Sequence, residues 1–360
     1  MLAPMSGKLV SPTLVGRGEA LAAAEAMLQQ IEAARTSHRL VAGEAGIGKT
    51  RFSEAVADLA RTEGFQVLRG GCVHLESGEL PYAPIGEALR GLARRLDPQA
   101  LAAVIADDGA VLSRITPALS LREARALEAG PSDADRGRLM EALLGLLGRL
   151  SRDAPVLFVV EDLHWADSAS LDALVFLLRS LRDERIGLLL TFRSDELYRR
   201  HPLRPWLGEI ERLGTVDRLD LGPLEPAETG ELIAAIRGDV PSREIVDQIQ
   251  RRSDGNPLFI EELLARESGH AGASALSPSL RDILMSRVGS VSDEAQSILA
   301  VASIAGRTVD AALLAQVSAL APKAMDAGLN ACLERRLLMV DRAEWSTAPR
   351  HRIGSPSATR

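Results

Sequence analysis

The chain has 360 residues, of which 46% are apolar and 25% charged, which excludes wholesale disorder and a fibrous repeat and leaves room for two or three cores at roughly 150 residues per domain. Its 42 basic and 49 acidic residues give a net charge of −7, so no basic footprint for nucleic acid or an anionic membrane extends over the whole chain. Only three of the basic residues are lysine (Lys8, Lys49 and Lys323), a bias that follows GC-rich coding and makes each lysine worth inspecting.

Over the first half of the chain, short β-type runs alternate with amphipathic stretches, the pattern of an α/β domain with a parallel sheet. The spacing predicts a helix over Glu19–Ala34, a strand over His38–Ala42 and a helix over Lys49–Thr62. A strand over Phe65–Gly71 and a helix over Ile85–Leu96 follow. After a helix-leaning insertion, Asp97 to Arg136, come a helix over Arg138–Leu150 and the apolar strand Pro155–Val160. The domain then closes with a helix over Ser168–Leu181 and strands over Ile186–Phe192 and Val216–Leu221. Beyond the Pro-rich hinge at 222–226 the strand signals give way to helical ones over Ala227–Arg237, Ser242–Ser253 and Asn256–Arg266. A small, polar linker follows at Glu267–Pro278. Helical spacing resumes over Glu294–Ala305, Ala311–Ala319 and Ala324–Leu333, and a β-prone stretch, Leu337–Val340, suggests a closing hairpin. Residues 346–360 hold too few apolar side chains to bury a face and read as a disordered tail. Cys72 and Cys332, far apart in the chain, are expected to be free, buried thiols. Neither a secretory leader nor a run of ~18 apolar residues is evident, so a cytoplasmic protein without a membrane contact is expected.

Three segments carry chemistry. Gly43–Thr50 (GEAGIGKT) satisfies G-x-x-x-x-G-K-[ST], with a chance expectation of roughly 0.002 matches for this composition, and it lies between a strand and a helix. Glycines at 43, 46 and 48 let backbone N–H groups turn inward around phosphate, Lys49 would reach the β- and γ-phosphates, and the Thr50 hydroxyl would ligate Mg²⁺. An ammonium fits that pocket where a planar guanidinium does not. Next, the strand ending in Glu161-Asp162 delivers two carboxylates where such nucleotidases hold Mg²⁺ and polarise the attacking water. The division of those roles between Glu161 and Asp162 stays open. Asp167 is the expected N-cap of the helix that follows. His164 is expected to pack beside Trp165 rather than act as a base. Third, the strand Ile186–Phe192 runs into Arg193, placed to sense the γ-phosphate.

Taken together these residues resemble the STAND class of signalling ATPases, relatives of AAA+ and origin-recognition ATPases. The likeness runs especially to the N-terminal ATPase portion of large LuxR-type bacterial transcriptional regulators. Val15, Gly16 and Arg17 look like the element that sits beside adenine. Gly43, Gly46, Ile47, Gly48, Lys49, Thr50 and Arg51 match the P-loop. Thr191-Phe192-Arg193 matches the strand-end T-x-R, and Pro257 in Gly255-Asn256-Pro257 matches the G-x-P whose proline packs on adenine. Leu80–Pro84 resembles a segment common after the second strand of this group. The resemblance implies an α/β P-loop NTPase core over 1–221 with sheet order 5-1-4-3-2, a helical lid over 222–270 and a winged-helix-like module over 279–345. Lys49, Glu161, Asp162 and Arg193 would be the catalytic set, and Thr50, Glu161 and Asp162 the metal set.

The function so implied is an ATP-binding, slowly hydrolysing switch using ATP/ADP and Mg²⁺, monomeric with ADP and able to oligomerise with ATP. It would be part of a regulator whose effector, inducer and protein partner lie beyond this chain. Glu161, where many relatives carry Asp, fits slow turnover. Direct DNA binding is not expected, because Arg281, Arg287, Arg307, Arg335 and Arg336 are interspersed with acids. Arg350-His351 matches the family's wing histidine only loosely. Two alternatives stand: an oligomeric AAA+ motor, with Arg199, Arg200 or Arg204 as a trans-acting finger, and a nucleotide-binding adaptor without turnover.

Overall fold

The computed structural model describes residues 11–73, 80–119, 133–197, 201–267, 281, 285, 288–289, 291–306, 308–334, 337–340 and 352–354. It divides into two units, one of Arg17–Glu44 and Gly48–Gly222, the other of Met1–Gly16, Ala45–Ile47 and Pro223–Arg360.

The first unit is a five-stranded parallel sheet flanked by helices. In chain order it holds α1 (Gly18–Glu32), β1 (Ser37–Gly43), α2 (Lys49–Thr62), β2 (Gln66–Gly71) and α3 (Ala83–Arg95). The insertion that follows carries α4 (Pro98–Ile105) and α5 (Gly109–Leu112), with short 3₁₀ turns. The unit continues through α6 (Asp133–Asp153), β3 (Val156–Glu161), α7 (Ser168–Ser180), β4 (Ile186–Arg193), α8 (Leu203–Glu211) and β5 (Val216–Asp220). The sheet order is β2-β3-β4-β1-β5, the expected 5-1-4-3-2 read from the other edge.

Burial explains which strands are easiest to read. All six residues of β3 are buried, as are seven of the eight in β4, so VLFVV and IGLLLTF are continuous apolar runs with helices over both faces. Leu68, Phe158 and Leu188 stand side by side across three strands, and Leu40 pairs with Leu190. Phe158 is 1% exposed, and burial of such a side chain contributes roughly 1.5–3 kcal/mol. The edge strand β5 instead turns Asp217 and Arg218 to solvent, charges that discourage further strand pairing. Helix α1 buries Ala20, Ala24, Met27, Leu28 and Ile31, one stripe at helical spacing.

The second unit contains α9 (Pro226–Arg237), α10 (Arg243–Ser253) and α11 (Pro257–Glu267), which share the apolar cluster Leu224, Leu232, Ile233, Ile249, Ile260 and Leu264. Glu225 and Glu228 form a reciprocal capping box at the start of α9, Pro226 occupies its first turn, and Gly238 ends it in the left-handed conformation. A separate cluster around Ile298, Leu314, Met325 and Cys332 joins α12 (Asp293–Ala305), α13 (Ala311–Ser318) and α14 (Pro322–Glu334). These accompany a small antiparallel sheet, β6 (Thr308–Asp310), β8 (Arg352–Gly354) and β7 (Met339–Val340), in that spatial order.

Two expectations change here. β6 has no counterpart in the sequence reading, because three residues carry too little periodicity to register as a strand. Residues 352–354 form the central strand of that sheet, not loose tail, with Ile353 opposite both Val309 and Val340. Their strand state is supplied by partners on both sides, which a stretch poor in apolar residues does not advertise. The 267–278 linker lies, apart from Glu267, outside the described residues.

Candidate functional site

The carboxyl ends of β1, β3 and β4 converge, and the chemistry-bearing residues of the first unit lie there. β1 runs into the Gly-rich loop, and α2 starts at Lys49 with Gly48 as its N-cap at φ +99°, a conformation that favours glycine. A Cβ on Gly48 would meet nothing within 4 Å, so this bend faces open space. α2 has neither a capping side chain nor an acid in its first turn, a helix start whose dipole favours an anion. Thr50 and Arg51 stand in that turn, Thr50 exposed. Lys49 is buried, its Nζ donating to the Gly43 and Glu44 carbonyls at 2.9 Å each. Burial and, second, the nearby Arg193 lower its pKa to about 8, against the opposing pull of Asp195, Asp162 and Glu196.

The two acids at the end of β3 have different surroundings. Both Glu161 oxygens are engaged: Oε1 accepts from the Ser53 hydroxyl of α2, and Oε2 accepts from Arg69 Nε at 3.0 Å and Nη2 at 2.7 Å. Arg69, on the neighbouring β2, also reaches Glu54 at 3.2 Å. Asp162 turns the other way, in the left-handed region at φ +58°, its N–H donating to Thr191 Oγ1 at 3.1 Å. Its pKa is raised by burial, with Arg193 and Lys49 pulling it back down. Asp162 is therefore the strand-end acid that shares an electrostatic neighbourhood with the P-loop lysine and the β4 arginine.

Arg193 is held from three sides. Its Nη1 pairs with Glu196 at 2.5 Å, its guanidinium lies 5.0 Å from the Trp165 ring centroid, and its N–H donates to His164 Nδ1 at 3.3 Å. His164 packs against Trp165 at 4.6 Å between centroids. Burial, aided by Arg193 and Lys49, drives its pKa down to about 2. A base that does not protonate near neutrality is no proton shuttle, which agrees with its packing role. Asp167 caps α7, accepting from Ser170 N at 2.9 Å and from the Ser170 hydroxyl.

The remaining sequence-selected residues are placed as follows. Arg17 is buried in the first unit, preceding α1. In the second unit, Val15 packs on the Leu224–Leu264 cluster, and Gly16 lies so close to Leu224 that a Cβ would come within 2.5 Å of its Cδ2. The loop residues Ala45–Ile47 belong to that unit too. Asn256 Nδ2 donates to the Ala45 carbonyl at 2.9 Å, and Leu258 N donates to the Gly46 carbonyl at 3.3 Å. Gly46, at φ +77°, has no room for a Cβ, which would sit 2.9 Å from Leu258 Cβ. Pro257 opens α11 between those two contacts. Arg204 donates to the Leu197 carbonyl, while Arg199, Arg200, Arg287, Arg307, Arg335, Arg336, Arg350 and His351 lie outside the described residues.

Sequence reasoning did not select Ser53, Arg69 or Glu196. Arg69 had a faint signal, a charge inside the otherwise apolar QVLRGG; its partner is 92 positions away. Among the described residues no cluster of three His, Cys, Asp or Glu side chains suits a metal ion, and no helix is long and apolar enough to cross a membrane.

Residues 13–191 match the family described as "AAA ATPase domain". A curated relative, an uncharacterized protein of Rhizobium meliloti (strain 1021), is 29% identical over 278 residues, covering 71% of this chain and 25% of that protein. The chain thus spans about a quarter of that relative's length. Among solved structures it is similar to a signal transduction ATPase with numerous domains (STAND) and a tetratricopeptide repeat sensor from Pyrococcus horikoshii. The TM-score is 0.39 at 14% identity, covering 98% of this chain and 43% of the other. It is also similar to a RuvB variant of Thermotoga maritima, with a TM-score of 0.43, 15% identity and coverage of 95% and 92%. The P-loop between β1 and α2 and the 5-1-4-3-2 parallel sheet give this chain an α/β P-loop NTPase fold, and residues 13–191 are similar to the AAA ATPase domain.

Proposed function

We propose that this chain is the nucleotide-binding switch of a larger bacterial signalling regulator of the STAND type, binding ATP or ADP with Mg²⁺ and hydrolysing ATP slowly. The observation that carries the reading is the uncapped start of α2 beside a buried lysine. A helix start without a capping side chain, the open bend at Gly48 and the Lys49 ammonium favour a polyphosphate, and that turn carries no competing acid.

The donor set suits Mg²⁺, a hard cation that keeps waters and phosphate oxygens and asks the protein for only one or two oxygen ligands. The exposed Thr50 hydroxyl and the Asp162 carboxylate supply these, whereas Glu161 is committed to Arg69 and Ser53. Mg²⁺, when bound, would neutralise charge developing on the phosphates. Arg193 is assigned to the γ-phosphate, and Val15, Gly16, Arg17 and Pro257 to the adenine side. Such a split leaves Asp162 to serve both metal and water, consistent with slow turnover.

Its place in a longer regulator, with an effector beyond the shared stretch, is supported by the far greater length of the Rhizobium meliloti relative. A LuxR-type transcriptional output is the form this reading favours, with an inducer or protein partner acting through that further region. Removal of the Lys49 ammonium takes away the one buried cation of the loop. Lys49→Ala is expected to weaken ATP and ADP binding at least about 100-fold, as measured by calorimetry on the purified chain. Failure of the parent protein to bind either nucleotide at millimolar concentration would end the proposal.

A further inference from the structure

Glu196 is used by none of the roles assigned so far, yet it is the group through which the β4 arginine is held. One carboxylate oxygen pairs with Arg193 Nη1 at 2.5 Å, and the other lies 3.5 Å from His164 Nε2. The Glu196 and Arg193 side chains are 19% and 21% exposed, so this pair is only weakly screened by solvent. His164 is locked in a single state. Its Nδ1 accepts the Arg193 N–H, so its proton resides on Nε2 and faces Glu196. The guanidinium lies 5.0 Å from the centroid of the Trp165 ring. Glu196 thus sits between Arg193, at the end of β4, and His164, in the turn that follows β3.

That seat lies in the field of the P-loop. Lys49 feels the negative charges of Asp195, Asp162 and Glu196, and Asp162 in turn feels Glu196. With no nucleotide, these carboxylates balance Lys49 and Arg193. A diphosphate held by Lys49 and the start of α2 adds charge on the loop side. A γ-phosphate adds further negative charge next to Asp162 and requires the guanidinium that Glu196 already holds.

We infer that Glu196 is a specificity-determining residue that discriminates against the triphosphate: its carboxylate occupies Arg193 and must be displaced before a γ-phosphate can be bound there. This inference rests on the nucleotide reading proposed above and deepens it, since it makes the diphosphate-bound form the resting one by electrostatic competition. A ligand shifts such an equilibrium only by its differential affinity for the two arrangements, and the Arg193–Glu196 pair is the element in which ATP and ADP differ. Glu196 acts through Arg193 and is a positioning residue, not a catalytic one.

The test is a double-mutant cycle on the full chain with fluorescent ATP and ADP analogues in the presence of Mg²⁺. Glu196→Gln keeps the shape and releases the charge, and is expected to tighten ATP about tenfold while changing ADP less than about twofold. In an Arg193→Ala background the same substitution should leave the ATP-to-ADP ratio unchanged. Glu196→Asp, which keeps the charge but shortens the reach, should give an intermediate ratio and guards against a folding defect in the glutamine variant. A second readout needs no change at position 196. Because Arg193 lies over Trp165, ATP but not ADP should alter the intrinsic fluorescence, and Trp165→Phe should abolish that change. If the parent binds neither nucleotide, the nucleotide reading and this inference fall together. If it binds both and the ratio is the same in Glu196→Gln, or shifts equally without Arg193, the role of Glu196 alone is overturned. A Trp165 response identical for ATP and ADP would overturn it as well.

Discussion

Glu161 and Asp162 are adjacent in the chain but differ in what surrounds them. Glu161 points into a cage of Ser53 and Arg69 and is 9% exposed, while Asp162 faces Lys49 and Arg193. Glu161 is the last residue of β3, whereas Asp162 lies beyond it in left-handed backbone, and the two carboxylates meet different neighbours. Asp162→Asn should therefore remove most of the Mg²⁺-dependent gain in nucleotide affinity, about tenfold or more, whereas Glu161→Gln should keep it within about threefold. The glutamine variant would instead lose stability, about 1–3 kcal/mol, because an amide cannot accept all three donors. Calorimetric titration with and without Mg²⁺, together with urea unfolding, checks both. The opposite pattern would return the metal role to Glu161. The motif itself was legible, since an apolar strand ending in two acids downstream of a P-loop has few other uses. Which acid is free was not, because that depends on Arg69, which only the pairing of β2 with β3 brings alongside.

At the level of elements, local chemistry and tertiary context divide the work differently for helices and strands. Helices α7, α9, α10 and α12 begin where capping side chains in the sequence say they should, at Asp167, Glu225, Ser242 and Ser292. The Asp167 cap does more than close a turn, since its carboxylate also accepts from Tyr82 N at 3.4 Å and so ties the start of α3 to that of α7. Asp167→Ala is expected to cost about 1–2 kcal/mol, read as a lower urea midpoint with an unchanged slope. A cost under ~0.3 kcal/mol would show that water replaces the cap. β3 and β4 were legible for a different reason: in a parallel sheet covered on both faces a strand becomes a near-continuous apolar run, VLFVV and IGLLL, and announces itself without alternation. β6 and β8 lack that signal. Each is three residues long and takes its conformation from neighbours, so no local window could have revealed them.

Across the whole molecule, two buried histidines make stability depend on pH. His38 is fully buried in β1, its Nδ1 accepting the Leu188 N–H at 3.1 Å, and burial lowers its pKa to about 4; that of His164 falls to about 2. Between pH 6.5 and 4 the unfolded chain binds protons that these folded residues refuse, so stability is complete above pH 6.5 and falls as the pH drops through that window. At pH 5 each histidine accounts for about 2 kcal/mol of the loss. His38→Gln should therefore flatten the decline between pH 7 and 5 by about that amount, measured by urea unfolding at each pH. An unchanged slope would mean that carboxylates alone carry the acid sensitivity. The sequence by itself determined the α/β class, the P-loop and its lysine, the order of strands and helices along the chain, and the start of most helices. Each of these depends on contiguous residues, through periodicity, capping or spacing. The tertiary structure alone decided that Arg69 claims Glu161, that Glu196 claims Arg193 and that the histidines stay neutral. Those outcomes depend on charges brought together across strands and on the water excluded around them, quantities no linear window contains.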